Sequence, residues 1–577
     1  MSGAALAQYL FAIPMFSPDL RSKFAVRRQL AEIVPRYGRS SAADYGIIRY
    51  RHGIYVIRRI NRRDMDATRT VFTFPAGVSG YGEPGRTFCG TRSMGYKAMT
   101  GETNRFVVER KKTPEKTAAK TRVANFNEIY ADFKPTGAST QSSRCAQCGV
   151  PFCQSGCPLQ NNIPDWLRLT AEGRTQEAWE LSSATSTLPE ICGRICPQDR
   201  LCEGSCVLEQ SGWQNVTIGS VERYLGDMAF ENGWIAPIEP LKERSQSVGI
   251  IGSGPAGIAA ADRLREMGYQ VTIYDRHDRA GGLLVYGIPS FKLEKHVVAR
   301  RTDRLADSGV DYVLNCNVGE DIAFDELRAR HDAILVATGV YKARRLTAPG
   351  CGSKGVVAAL DYLIASNRKG FGDAVPDYDS GHLNADGKTV IVVGGGDTAM
   401  DCVRTAVRQG AKSVACVYRR DRANMPGSDR EVSNAEEEGV RFEWLSAPKA
   451  VLGDADAVTG LRVQRMRLTT PDEQGRQGIE DIAGLENDLQ ADLIIEALGF
   501  EPEDLPVLFN APGLETTSSG TLKLMAGEFA TTLDGVFAAG DIVRGASLVV
   551  WAVREGQDAA KDIHHYLKVQ LLAEAAE

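Results

Sequence analysis

The sequence predicts an α/β chain in which two nucleotide-binding units are nested, one interrupting the other, behind a helical domain rich in cysteine. Three observations predict it. From Ser247 onward, short β-branched runs alternate with glycine turns and amphipathic helices, the rhythm of parallel α/β units. That rhythm carries two glycine fingerprints, "GSGPAG" starting at Gly252 and "GGGDTA" starting at Gly394. Ahead of it, eight of the chain's 13 cysteines fall between Cys145 and Cys206, among segments whose apolar residues recur at helical spacing.

At 577 residues the chain is too long for one core, and roughly 100 to 200 residues per domain suggests three or four domains. A hydrophobic content of 43%, a charged content of 24% and 58 glycines describe a globular protein rich in tight turns. The net charge of -5 supplies no global basic field, so nucleic acid is not an expected partner. No uncharged apolar run reaches the roughly eighteen residues of a membrane span, and no membrane association is expected. The opening "MSGAALAQYLFAIPMFSP" lacks a basic region and a clear cleavage site, and proline interrupts its apolar part, so it does not read as a secretion signal. A cytoplasmic, reducing setting follows, in which clustered thiols favour metal over disulfide.

Composition divides the chain. Residues 1–98 form an atypical, arginine-rich and acid-poor extension, read as disordered or as a start-site artefact with Met99 the true start. Residues 99–245 are the helical cysteine domain. Within it "ERKKTPEKTAAKTR" reads as a solvated charged stretch, "NFNEIYADF" as a short amphipathic helix, and "SVERYLGDMAFENGW" as a longer one. Residues 246–385 and 493–577 are two parts of one nucleotide-binding domain, and 386–492 is the second, inserted between them.

The first fingerprint places Gly252, Gly254, Pro255, Ala256 and Gly257 directly after the strand "VGII". Absent side chains permit the tight turn, let backbone N–H groups approach a pyrophosphate, and let the helix pack on the strand. Asp275 ends the next strand, eighteen residues after Gly257, where a carboxylate accepts ribose hydroxyls. Gly281 and Gly282 follow. Far downstream, "GVFAAGD" brings Gly540 and Asp541 to the end of another strand. By itself Asp541 is equally a helix cap. Paired with the first fingerprint it resembles the two-part FAD site of the glutathione reductase-like flavoproteins, in which the distant aspartate binds the ribityl chain.

The second fingerprint is a GxGxxA variant, Gly394, Gly396, Asp397, Thr398 and Ala399. Its following strand ends in Arg419 and Arg420, with Arg422 nearby, in place of an acid. Arginine there favours the 2'-phosphate of NADP over NAD, and the competing reading is a surface basic cluster. An FAD unit completed around an NADP unit implies hydride transfer between stacked rings.

An outlet for the electrons is then required. Cys316, Cys351, Cys402 and Cys416, the cysteines of the nucleotide-binding part, include no Cys-x-x-Cys pair for a redox disulfide. The cysteine domain has spacings of x2, x4 and x3, then x3, x5 and x3, with Cys-Pro at Cys157 and Cys196, a pattern similar to iron–sulfur ligation. Two zinc sites are the alternative, but zinc carries no electrons and would leave a reduced flavin stranded. A protein whose thiols held zinc would be a scaffold, with folds that only sense redox state.

From about Asn125 to Tyr566 these segments together resemble the small (beta) subunit of NADPH-dependent glutamate synthase, a module shared with dihydropyrimidine dehydrogenase and related ferredoxin–NADP reductases. The matching stretches are "CAQCGVPFCQSGCPLQNNIP", "GRICPQDRLCEGSC", "GSGPAGIAAA", "GGLLVYGIPSFKL", "VGGGDTAMDC", "VYRRDRANMPG" and "AAGDIVRGASLVVWAVREGQ". The resemblance implies an α-helical iron–sulfur domain ahead of two nested Rossmann-like domains binding FAD and NADPH. It implies one 4Fe-4S cluster on Cys145, Cys148, Cys153 and Cys206 and a second on Cys157, Cys196 and Cys202. The fourth ligand of the second is expected to be Glu222, with Cys192 the alternative. It places Thr338, in "VATG", at a turn crossing near the FAD, and Lys292 near the flavin, where a cation would support the reduced ring; a salt-bridged structural lysine is the other reading of Lys292. The implied activity is NADPH oxidation as the electron-input subunit of glutamate synthase. A hetero-oligomeric FMN-bearing large (alpha) subunit would make glutamate from 2-oxoglutarate and glutamine, since this chain shows neither a barrel for a second flavin nor a glutaminase domain. A ferredoxin–NADP or sulfide-type reductase built on the same module is the alternative.

Overall fold

The computed structural model describes residues 104–472 and 477–574, and the backbone of two strands, Tyr45–Tyr50 and Gly53–Arg58. Those strands pair as an antiparallel hairpin within a unit spanning Met1–Ser93, and the remainder, Met94–Glu577, is a second unit. The rest of the expected extension, Met99 included, lies outside the described residues.

Ser247–Ile251 opens the first nucleotide-binding sheet. Its β-branched core residues Val248, Ile250 and Ile251 are buried, and Gly252 ends the strand. The sheet is parallel throughout, in the order Val536–Ala538, Ala333–Val336, Ser247–Ile251, Gln270–Tyr274, Val310–Val313. The strand at one edge thus comes from the far end of the chain, which closes the split domain. Helix Pro255–Glu266 starts on proline, whose missing N–H costs nothing in a first turn. The C-terminal helix Val549–Glu574 packs on it so closely that a side chain at Gly556 would overlap the Ala256 carbonyl.

The second sheet is also parallel, in the order Arg441–Trp444, Ser413–Tyr418, Thr389–Val393, Leu493–Glu496, Val356–Ala358. It therefore reaches past both ends of the expected 386–492 segment. Composition could not place the boundary because Leu493–Glu496, buried along its whole length, pairs in register beside Thr389–Val393. An antiparallel sheet of Ser446–Gly453, Val458–Leu468 and Ile479–Gln490 is appended to it.

The cysteine domain is built on helices Ile163–Ala171, Thr175–Ser183, Pro189–Ile195 and Ile218–Glu231. Trp166, Val221 and Leu225 are fully buried at its centre, as the helical spacing predicts. Two expectations fail ahead of it. The stretch "NFNEIYADF" forms no helix: its backbone pairs instead across the chain, with Thr117 donating to Ile129 and Ala131 to Glu115. Glu128 is meanwhile drawn to Arg194 and Arg223. Nor is "ERKKTPEKTAAKTR" wholly solvated, because Arg122 is 2% exposed.

Arg122 enters a buried charge cluster that joins three parts of the chain. It donates to Glu438 at 2.7 Å and to the Asn434 carbonyl at 3.2 Å. Arg404 and Arg408 of helix Asp397–Arg408 bond the same Glu438, and Arg404 also bonds Glu431. Both guanidiniums lie over the ring of Phe291, 4.4 and 3.9 Å from its centre, which ties the first nucleotide-binding domain to the second.

Removing one member of a buried, hydrogen-bonded charge cluster leaves its partners uncompensated. Arg404→Ala is therefore expected to lower the stability of this body by about 3 to 5 kcal/mol, read from urea unfolding. Burial alone would raise Glu431 and Glu438, but Arg404, Lys292 and Arg430 outweigh it at Glu431, and Arg408 and Arg404 at Glu438, holding both carboxyls down at about 2, against an ordinary 4.5. Their stabilisation is fully present above pH 4.5 and is lost as pH falls from 4.5 towards 2. The urea midpoint should fall across that window in the parent and fall less in Arg404→Ala.

Candidate functional site

The first fingerprint folds into a cradle. Gly252 has φ +109°, and a side chain there would overlap the Ala337 carbonyl; one at Gly257 would overlap the carbonyl of Gly252. Gly254 faces open space, which leaves its backbone free for close approach by a phosphate. Gly282 backs onto Gly254, and Ala256 backs onto Gly540 and Gly556, so sequence-distant segments meet at the start of helix Pro255–Glu266. Beside Gly252, the Thr338 hydroxyl is buried and has no hydrogen-bond partner among the described residues. An open cradle with an orphaned polar atom at its edge fits a bound dinucleotide.

Asp275 stands at the end of its strand, 6% exposed. It accepts from the Ser253 N–H at 2.8 Å and hydroxyl at 2.5 Å, and from the His277 N–H at 2.9 Å. Burial would raise it, but the bonds from His277 and Ser253 hold the carboxyl below the usual carboxylate range. Asp541, by contrast, is raised to about 6 by burial, tempered by a bond from the Ser547 N–H. The charges of both aspartates act on the buried Tyr341 hydroxyl, whose first perturbation is burial itself, so the two halves of the expected FAD site converge there. Sequence reasoning missed Tyr341, which follows the "VATG" turn; a lone aromatic there carries no pattern.

The second fingerprint repeats the first. Gly394 has φ +147° and meets the Ala497 carbonyl, Gly396 is open, and Ala399 is fully buried in the third position. Asp397 accepts the Ser428 N–H at 3.0 Å, and Thr398 lies half-buried beside it. At the strand end Arg419 is exposed and Arg420 half-buried, its Nε unpartnered, and neither is in an ion pair among the described residues. Arg422 is different, being paired with Glu436. Two uncompensated guanidiniums beside an open glycine turn suit a phosphate monoester.

Lys292 is salt-bridged, which is one of the two expectations for it. It donates to Asp401 at 2.8 Å with both side chains buried, fastening the first nucleotide domain to the helix of the second. Lys295 was not foreseen. Its Nζ donates to the carbonyls of Leu284, at 3.1 Å, and of Ile288, behind the "GGLLVYGIPS" loop, and burial lowers it to about 7.

The thiols form two groups. Cys145, Cys148, Cys153 and Cys206 line one small cavity with Leu167, Leu208 and Ile218, and every pair among the four is close enough for the charge of one to raise another. Burial pushes Cys145 up to about 11 and Cys153 up to about 12. In the second group Cys157, Cys196 and Cys202 surround Glu222, whose charge acts on all three. Burial lifts Glu222 to about 8, and Asn161 donates to it at 3.0 Å. Cys192 adjoins Cys196 and Cys157. The groups meet in one core, where Cys202 packs with Cys145 and Cys206.

Such thiols stay protonated at neutral pH, which makes them poor nucleophiles and good ligands once a cation displaces the protons. A single zinc would need donors converging to roughly 2.3 Å from one point. No three described Cys, His, Asp or Glu side chains form such a group. The four thiols lining the first cavity suit a polynuclear iron–sulfur centre.

A model of the 4Fe-4S domain II of dihydropyrimidine dehydrogenase matches residues 122–234, and a model of the pyridine nucleotide-disulphide oxidoreductases matches residues 246–556. The glutamate synthase (NADPH) small chain of Azospirillum brasilense is 60% identical over 471 residues, 82% of this chain and 98% of its own length. The small chains of Halomonas elongata and Escherichia coli are 46% and 45% identical, covering 80% and 82% of this chain and 98% and 100% of their own. Among the described residues no helix is long and apolar enough to cross a membrane. The chain belongs to the glutamate synthase (NADPH) small-chain family, within the pyridine nucleotide oxidoreductases.

Proposed function

We propose that this chain is the electron-input subunit of an NADPH-dependent glutamate synthase. It oxidises NADPH and passes the electrons to an FMN-bearing large subunit that forms glutamate from 2-oxoglutarate and glutamine. The observation that carries the reading is one of packing. Cys192 and Cys196 lie in the same hydrophobic core as Ile250, Ala256 and Leu284 of the first nucleotide domain, while the other thiol group, which shares a core with Cys202, borders the exposed Phe152. The thiol groups therefore run from the flavin domain towards the surface.

Bound FAD would take the hydride as a two-electron unit and two 4Fe-4S clusters would carry electrons singly, a conversion no side chain of this chain can perform. The residues hold and orient. Gly254 and helix Pro255–Glu266 receive the FAD pyrophosphate, Asp275 its ribose and Asp541 its ribityl chain. Gly396 receives the NADPH pyrophosphate, and Arg419 and Arg420 its 2'-phosphate. Cys145, Cys148, Cys153 and Cys206 hold one cluster; Cys157, Cys196, Cys202 and Glu222 hold the other. Glu222 is preferred to Cys192 because its charge acts on all three thiols of its group, while Cys192 adjoins Cys157 and Cys196. Exposed Val150 and Phe152 near the outer thiols suit an apolar protein partner.

Two outcomes follow. Anaerobic titration of the purified holoprotein should bleach the flavin with about one equivalent of NADPH and far less readily with NADH, since Arg419 and Arg420 recognise the extra phosphate. A flavin that NADPH leaves oxidised would overturn the reading. Glu222→Ala should remove or alter the paramagnetic signature of one cluster and leave the other unchanged, whereas Cys192→Ala should leave both in place; the reverse pattern would make Cys192 the ligand.

A further inference from the structure

The loop between Cys196 and Cys202 makes contacts that thiol ligation does not require. Arg200 donates to three successive backbone carbonyls of the second nucleotide domain, Met425 at 2.7 Å, Pro426, and Gly427 at 2.6 Å. Next to it, Asp199 accepts from the Ser428 hydroxyl and the Asp429 N–H, each at 3.3 Å. Gln198 accepts from Arg430 at 2.8 Å, and Arg430 also reaches the Arg194 carbonyl at 3.1 Å. Three consecutive residues of the cysteine domain thus grip the segment Met425 to Arg430.

The other face of that segment is bonded to the glycine turn. Gly427 donates its N–H to the Gly395 carbonyl at 2.8 Å, and Ser428 donates to Asp397 at 3.0 Å. One strip of backbone therefore has Arg200 on one side and the expected nucleotide-binding turn on the other. A guanidinium is always charged, and its hydrogen bonds to carbonyls are stronger than neutral ones.

We propose that Arg200 is a positioning residue for the pyridine nucleotide. Anchored in the Cys196–Cys202 loop, it fixes the placement of the Gly394–Ala399 turn, so that nucleotide binding and the environment of the second thiol group are energetically linked. The inference rests on the function proposed above, in which that turn binds NADPH and those cysteines hold a cluster. Linkage is reciprocal: whatever strain nucleotide binding places on Met425–Arg430 is shared with the loop, and the converse holds.

The test uses the holoprotein with Arg200→Ala and Arg200→Lys. The Kd for NADP+, measured by calorimetry, should rise about tenfold in Arg200→Ala and return to within about threefold of the parent in Arg200→Lys. FAD content and bleaching by dithionite should be unchanged. In the parent, NADP+ should shift the iron–sulfur stretching bands in resonance Raman spectra, and the shift should vanish in Arg200→Ala, a response that packing alone would not produce. Should Arg200→Ala lose its cofactors, Asp199→Asn carries the test, with a Kd rise of about threefold expected. A variant that binds NADP+ within twofold of the parent and keeps the band shift overturns the proposal. A parent that binds NADP+ without any band shift overturns the linkage while leaving the proposed function standing, whereas a parent that binds no NADP+ overturns both.

Discussion

Charge compensation for buried sulfur is the constraint on which this architecture turns. Burial lifts Cys145, Cys153 and Cys157 to about 11 or 12, and Glu222 to about 8. No guanidinium or ammonium forms an ion pair with Glu222 among the described residues, and its bond comes from the neutral Asn161. Burial keeps these acidic groups protonated, and ionising them without a compensating cation would be costly. Metal ligation resolves the conflict, because the ion takes the place of the protons and its binding energy becomes folding energy.

The surrounding fold serves that centre by holding separate pieces rigidly. Arg122 inserted into the Glu438 cluster and the grip of Gln198 to Arg200 on Met425 to Arg430 link the cysteine domain to the second nucleotide domain, and the Lys292–Asp401 pair links the two nucleotide domains. The Arg122–Glu438 and Lys292–Asp401 pairs are buried charge, which is costly to expose and so resists relative motion of the parts. Electron transfer between fixed groups needs little rearrangement.

Much of this was legible beforehand, for reasons that differ by element. The glycines of both fingerprints were readable because backbone crowding dictates them: at Gly252 and Gly257 any side chain collides with a carbonyl. The cysteines were readable because thiol spacing is dictated by ligation. What escaped depends on partners far away in the chain. The stretch around Asn125 has helical spacing, yet Glu128 is claimed by Arg194 and Arg223, and its backbone by Thr117 and Glu115. Lys292 carries two expectations, flavin neighbour and salt-bridged lysine, and only the fold brings Asp401 to it. Lys295 and Tyr341 had no sequence signal, being set apart by burial alone.

Mössbauer spectroscopy of anaerobically purified, 57Fe-labelled protein addresses the central claim most directly. Two cubane iron–sulfur clusters with about eight irons per chain are expected, one cluster showing a distinct iron site with oxygen ligation. Zinc in their place, or thiols that stay metal-free in a fully folded and stable protein, would contradict the account.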